Sequence, residues 1–157
     1  QFGESGPSTP LRVAAVQPSI PQDQKWNRAF EDSIYSTLAR HTDAALALQP
    51  DLVLWPEAAT PRGFFEDPLA NEFVNNYIAR GGFSLLFGTL ILSHEADYNA
   101  AVLLTGGDDP PQVYPKSHLV MFGEYIPFRE SFPIFAILVG SLVPADFDAG
   151  KGPVIFH

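Results

Sequence analysis

The chain has 157 residues, with nine basic against eighteen acidic side chains and a net charge of −9. With 46% apolar and 17% charged residues it can bury a core, and the acid excess argues against gripping nucleic acid or an anionic membrane surface, since both depend on Lys and Arg. It has no cysteine, which excludes a disulfide scaffold, a Cys-based zinc site and a thiol nucleophile within these residues.

Residues 1–10 (QFGESGPSTP) are polar and rich in Gly, Pro and Ser, and read as a linker or arm. LRVAAVQ at 11–17 reads as a buried strand stopped by Pro18, and PSIPQDQKW at 18–26 as a loop. A helix is expected over about 27–48, with Phe30, Ile34, Leu38, Ala45 and Leu48 on one face and Pro50 closing it. DLVLW at 51–55 is a second strand, followed by a loop at 56–66. Asp67 suits the cap of a second helix, Pro68 its first turn, and Gly81 and Gly82 its end. Strands are then expected at 83–92, 98–105, 112–116 and 153–157.

The order β-α-β-α-β-β, with nearly continuous apolar strands, predicts an α/β protein whose sheet is covered at least in part by helices. No apolar run reaches the roughly 18–20 residues of a membrane span, and no signal peptide opens the chain. The start at Gln1 and an apolar strand ending at His157 lead us to expect a fragment, cut short of its full domain. The common nucleotide, zinc-protease, calcium and serine-hydrolase motifs are missing. The four histidines show no ligand spacing, so no metal and no cofactor is expected.

Three polar residues sit where chemistry is commonly placed. Glu57 follows the strand 51–55 in LVLWPEAATP, at the carboxyl end where α/β sheets keep their sites; a solvated loop acid is the plain alternative. Lys116, in YPKSHLVMFGEYIPF, can equally be an ordinary exposed lysine. Glu124 lies in an apolar stretch, where burial without a partner is costly; a structural ion pair to Lys116 or Arg129 would also account for it. Spacing leaves open whether the three meet.

VQPSIPQDQKW, LVLWPEAATP, FGT, YNAAVLL and YPKSHLVMFGEYIPF together resemble the nitrilase, or carbon–nitrogen hydrolase, superfamily over residues 11–157. More narrowly they are similar to the catalytic domain of the apolipoprotein N-acyltransferases, with GEYIP and IPQDQKW favouring that branch over soluble amidases. The resemblance implies an αββα sandwich, here incomplete, and a Glu–Lys–Cys triad. Carried over by motif, Glu57 in WPE is the general base, Lys116 in PKSHLV the triad lysine, and Glu124 in FGEY the supporting glutamate. Trp26 in QDQKW matches a tryptophan tied to function, which makes it a substrate-binding candidate. The triad cysteine is expected downstream of GPVIFH, outside this chain, which alone is then inactive.

The implied activity is transfer of an acyl chain from a phospholipid to the N-terminal amine of a diacylglyceryl lipoprotein, through a cysteine thioester. No nucleic acid takes part. The implied setting is the bacterial inner membrane, with the catalytic domain on its extracytoplasmic side and membrane segments outside this chain. The apolar run FPIFAILVGSLV at 132–143 fits either a flap that walls an acyl pocket or a buried core helix. Two rivals stand beside this reading: a soluble amidase of the same superfamily, and a non-catalytic module of the same fold that binds lipid or protein.

Overall fold

The computed structural model describes residues 9–107, 109–121, 123–125 and 146–157. The first half of the chain alternates strands and helices: β1 (Val13–Ala15), α1 (Gln22–Lys25), α2 (Glu31–Leu46), β2 (Leu52–Leu54), α3 (Pro68–Ile78) and β3 (Ser84–Leu92). Two further strands follow, β4 (Asp97–Leu104) and β5 (Gln112–Pro115). They form one five-stranded sheet in the order β1-β2-β3-β4-β5. β1, β2 and β3 run parallel, joined by helical crossovers, while β4 and β5 return antiparallel. This is the α/β sheet expected from the sequence.

The pleat of β3 explains how the sheet is used. Leu85, Phe87 and Thr89 are buried, whereas Ser84, Leu86, Gly88 and Leu90 are only half-buried. Side chains alternate between faces with a period of two. The buried set joins Val53, Trp55, Val102 and Leu104 from neighbouring strands with Leu38 of α2 and Val74 and Tyr77 of α3. Trp55 packs within about 6 Å (centroid to centroid) of Phe73, Tyr77 and Phe87. Complete burial of side chains such as Phe87 and Leu38 contributes about 1.5–3 kcal/mol each. The opposite face, with Leu54, Leu86, Ala101 and Leu103, is only half-covered.

Local signals in the sequence fix the helix ends. Asp67 caps α3, its Oδ1 accepting from the Ala70 N–H at 2.9 Å, and Pro68 takes the first position. Gly81 and Gly82 adopt φ of 70° and 81°, a region that glycine enters without strain. A 3-10 turn at Arg28–Phe30 precedes α2, with the Asn27 side chain accepting from the Ala29 N–H at 3.0 Å.

Four expectations are corrected. The loop 18–26 contains the short helix α1, which Pro21 starts. The first strand is confined to Val13–Ala15. Leu48 is 74% exposed and lies off the apolar face, because α2 ends at Leu46 and Gln49 turns away with φ of 51°. Residues 153–157 form no strand. Pro153 lacks a donor, and the chain is held to β5 by the Gln112 side-chain amide, which accepts from the His157 N–H at 2.7 Å and donates to its carbonyl at 2.5 Å. Arg129 and the segment 132–143 lie outside the described residues.

Candidate active site

Glu57 sits on a loop zipped onto β3. The Trp55 N–H donates to Leu86 O, the Gly88 N–H to Pro56 O and the Ala59 N–H to Gly88 O, at 2.9, 3.2 and 2.9 Å. The approach is so close that a Cβ on Gly88 would stand 2.5 Å from the Glu57 Cα. Ala58 is held at φ of 43°, a conformation that costs a non-glycine residue about 1 kcal/mol or more. On the other side, the Lys25 ammonium donates to the Glu57 carbonyl at 2.9 Å. Burial holds this lysine below the usual ammonium range, with the Glu57 charge opposing that shift.

Lys116 follows β5 directly. Its N–H donates to Asn99 O on β4 at 2.8 Å, and its carbonyl accepts from Gly150 at 2.9 Å. With its backbone pinned on both sides, its side chain reaches two carboxylates: Nζ lies 3.1 Å from Glu57 Oε1 and 2.9 Å from Glu124 Oε2. Glu124, 8% exposed, is fully engaged. Its Oε2 also accepts from the Val120 N–H at 2.8 Å, and its Oε1 from the Asn99 amide at 2.6 Å. The same amide nitrogen also donates to Glu57 Oε1.

The electrostatics follow from this arrangement. Burial works against the Glu124 carboxylate, but Asn99, the Val120 N–H and Lys116 outweigh it and hold its pKa below the ordinary value. For Lys116, burial works against the charge and is outweighed by hydrogen bonds to Glu124 and Glu57, so its pKa is raised. The lysine is therefore a fixed cation, and Glu124 a fixed anion, at neutral pH.

The cluster stands at the carboxyl end of β2. Glu57, Asn99 and Lys116 line a cleft of about 360 Å³ with Leu54, Leu86 and Tyr114. Glu57 also borders a smaller cleft of about 190 Å³ with Gln17, Lys25 and Thr60. The larger cleft of about 480 Å³ lies by Arg12, Pro50 and Phe83, at the opposite ends of the strands, and contains none of these groups. Among the described residues there is no group of His, Cys, Asp or Glu that could hold a metal.

The structure thus brings Glu57, Lys116 and Glu124 together. Trp26 stands apart from their side chains: it is half-exposed, with its ring 5.6 Å from the Lys25 ammonium that reaches the Glu57 backbone. Sequence reasoning missed Asn99, Lys25 and Gly88. The signal for Asn99 was present, since an amide inside the apolar run YNAAVLL needs a buried partner.

No family model matches the chain. It is similar to the apolipoprotein N-acyltransferase of Geobacter metallireducens, with 30% identity over 92% of this chain and 30% of that protein. The protein of that name from Brucella suis is 32% identical over 90% of this chain and 28% of its own length. A crystal structure of a CN-hydrolase superfamily protein from Xanthomonas campestris, 19% identical, superposes with a TM-score of 0.63 over 94% of this chain and 49% of that one. In sequence the chain is thus similar to the apolipoprotein N-acyltransferases, and in fold to a carbon–nitrogen hydrolase superfamily protein. It spans about 30% of the length of those N-acyltransferases. The carbon–nitrogen hydrolase fold expected from the five motifs between VQPSIPQDQKW and YPKSHLVMFGEYIPF is therefore observed. Among the described residues no helix is long and apolar enough to cross a membrane.

Proposed function

We propose that this segment, residues 11–157 of a carbon–nitrogen hydrolase domain, supplies the acid–base and oxyanion groups of an N-acyltransferase that works through a cysteine thioester. The thiol comes from outside these residues, which contain no cysteine. The observation that carries the reading is the single ammonium of Lys116 held between the Glu57 and Glu124 carboxylates at a cleft.

Each group suits one task. Glu57 is the outermost, with its side chain 60% exposed, and takes the thiol proton. The thiolate attacks the ester carbonyl of a phospholipid, and Lys116 stabilises the oxyanion. Once Glu57 has taken the thiol proton its pull on the ammonium weakens, and the N–H that faced it can turn to the oxyanion. The C–O bond then breaks, Glu57 returns its proton to the departing alcohol, and the acyl thioester remains. The N-terminal amine of a diacylglyceryl lipoprotein attacks the thioester, giving its proton through Glu57 to the departing thiolate. Glu124 keeps Lys116 charged and in place, and Trp26 borders the substrates. The reading places the reaction at the extracytoplasmic face of a bacterial inner membrane.

The test uses the complete coding sequence that carries this segment. With phospholipid alone, mass spectrometry should detect an acyl group on a cysteine; adding a diacylglyceryl lipopeptide should move it to the amine. Glu57→Gln and Lys116→Met should both abolish acylation while the protein stays folded. An enzyme acylated as before in either variant would defeat the role given to that residue, and release of free fatty acid in place of the amide would make the protein a hydrolase.

A further inference from the structure

Three carboxylate oxygens of two acidic side chains converge on one lysine, which leaves the cluster one negative charge in excess. Like charges this close favour separation, and the Glu57 side chain is largely exposed, on a loop pinned at its backbone by β3 and by the Lys25 ammonium. A second donor is therefore needed between the carboxylates. Asn99 is in that position: it is 7% exposed, on the half-covered face of β4, and its amide nitrogen is within bonding distance of Oε1 of both glutamates. Its two N–H groups match the two acceptors one to one. Its carbonyl on the main chain takes the Lys116 N–H, so one residue sets the place of all three charged groups.

We propose that Asn99 is a positioning residue, whose buried amide clamps the Glu57 and Glu124 carboxylates together and keeps Glu57 turned towards the Lys116 ammonium. This deepens the function proposed above and rests on it. The residue acts through the two carboxylates that its amide holds. Its effect is to hold the general base at the distance from the oxyanion site that proton transfer requires, where small misplacements are costly. No acid can replace it, because a carboxylate in its place turns two donors into acceptors and adds a third like charge.

The experiment compares Asn99→Leu, of similar size without donors, and Asn99→Asp, of similar shape without donors, with Lys116→Met, all in the complete coding sequence. Acyl transfer is followed against pH, with kcat and KM separated. Asn99→Leu should lower kcat on the order of 10- to 100-fold, as expected for losing a hydrogen bond to a charged group, and leave KM nearly unchanged. The acid limb of the profile should move to higher pH, because a donor that favours the charged carboxylates is gone, and Asn99→Asp should move it further. The charged groups that face the amide are Glu57, Glu124 and Lys116; the Lys25 ammonium stands behind the Glu57 carbonyl.

An inactive Lys116→Met beside an Asn99→Leu enzyme with the original kcat and acid limb would overturn the clamp alone and leave the Glu57–Lys116 reading standing. A fully active Lys116→Met would overturn both. If the Asn99 variants fail to fold, the unaltered protein decides by NMR. Both Asn99 side-chain protons should exchange slowly and shift as the carboxylates titrate; a pair that exchanges freely and ignores pH would end the proposal.

Discussion

Phe87 and Gly88 are neighbours on β3, and so are Asn99 and Ala100 on β4, yet the members of each pair serve different regions. Phe87 is 1% exposed and meets Trp55 and Phe64, while Gly88 lies under the Glu57 loop. Ala100 is buried in the sheet, while Asn99 turns to the charged cluster. The helix-covered region is apolar and close-packed, and its stability comes from area removed from water. The polar region holds two carboxylates, an ammonium and an amide within hydrogen-bonding distance, and gains specificity of position in place of raw stability. Because strand side chains alternate, the same backbone serves both, and the two can be perturbed one residue apart.

The largest effects should come from the polar region and leave the apolar one intact. On the proposed function, Lys116→Met or Glu57→Gln should lower acyl transfer by the complete protein on the order of 10⁴-fold or more, as for other units that act together; the thermal midpoint should change little for the exposed Glu57 and fall for Lys116→Met, which leaves the buried Glu124 carboxylate without its cation. Phe87→Ala should do the reverse, lowering unfolding free energy by about 3–5 kcal/mol in denaturant melts, with the pH profile of the folded enzyme unchanged. Gly88→Ala breaks the separation. Its methyl meets the Glu57 backbone, so about 1–3 kcal/mol of stability and a substantial part of the activity should fall together.

Glu124 sharpens the comparison through pH. Its folded-state pKa is depressed, so its contribution is present above the ordinary carboxylate pKa and is lost as pH falls through the folded value. Lys116 is shifted upward, so its contribution is present below the ordinary lysine pKa and is lost at still higher pH. Acid melts of Glu124→Gln should therefore lose part of the low-pH dependence seen in the parent protein, whereas melts of Phe87→Ala should keep it. The smallest effect is expected at the exposed Arg80–Asp43 pair, where Asp43→Ala should cost less than about 1 kcal/mol.

Much of this division could be read from the sequence, and what could not has a physical cause. Asp67, Pro68 and the Gly81–Gly82 pair act within a few residues of themselves, so the ends of α3 were visible. The ionic partner of Glu124 could be narrowed to Lys116 or Arg129, and Lys116 is observed as one partner. The amide of Asn99 stood out in its apolar run, but its partners could not be named, because they lie 42 and 25 positions away. Likewise, Lys25 matters through a carbonyl 32 positions distant. The strand expected at 153–157 failed because an apolar run suggests pairing without supplying a partner ladder; Ile155 is 78% exposed instead.

The chain returns to the cluster after residue 145, and the Phe147 N–H donates to Glu124 O at 2.9 Å. Asp148 is tied to Asp97 O and Gly150 to Lys116 O, where a Cβ on Gly150 would strike the Pro115 carbonyl. The two ends of the intervening stretch are thus anchored side by side on the same framework that carries the charges. Closing a longer connection between fixed points costs little in general, about 0.6 kcal/mol for each doubling of a flexible loop. Changes in the length of the sequence between these anchors can therefore be absorbed without moving Glu57, Lys116 and Glu124.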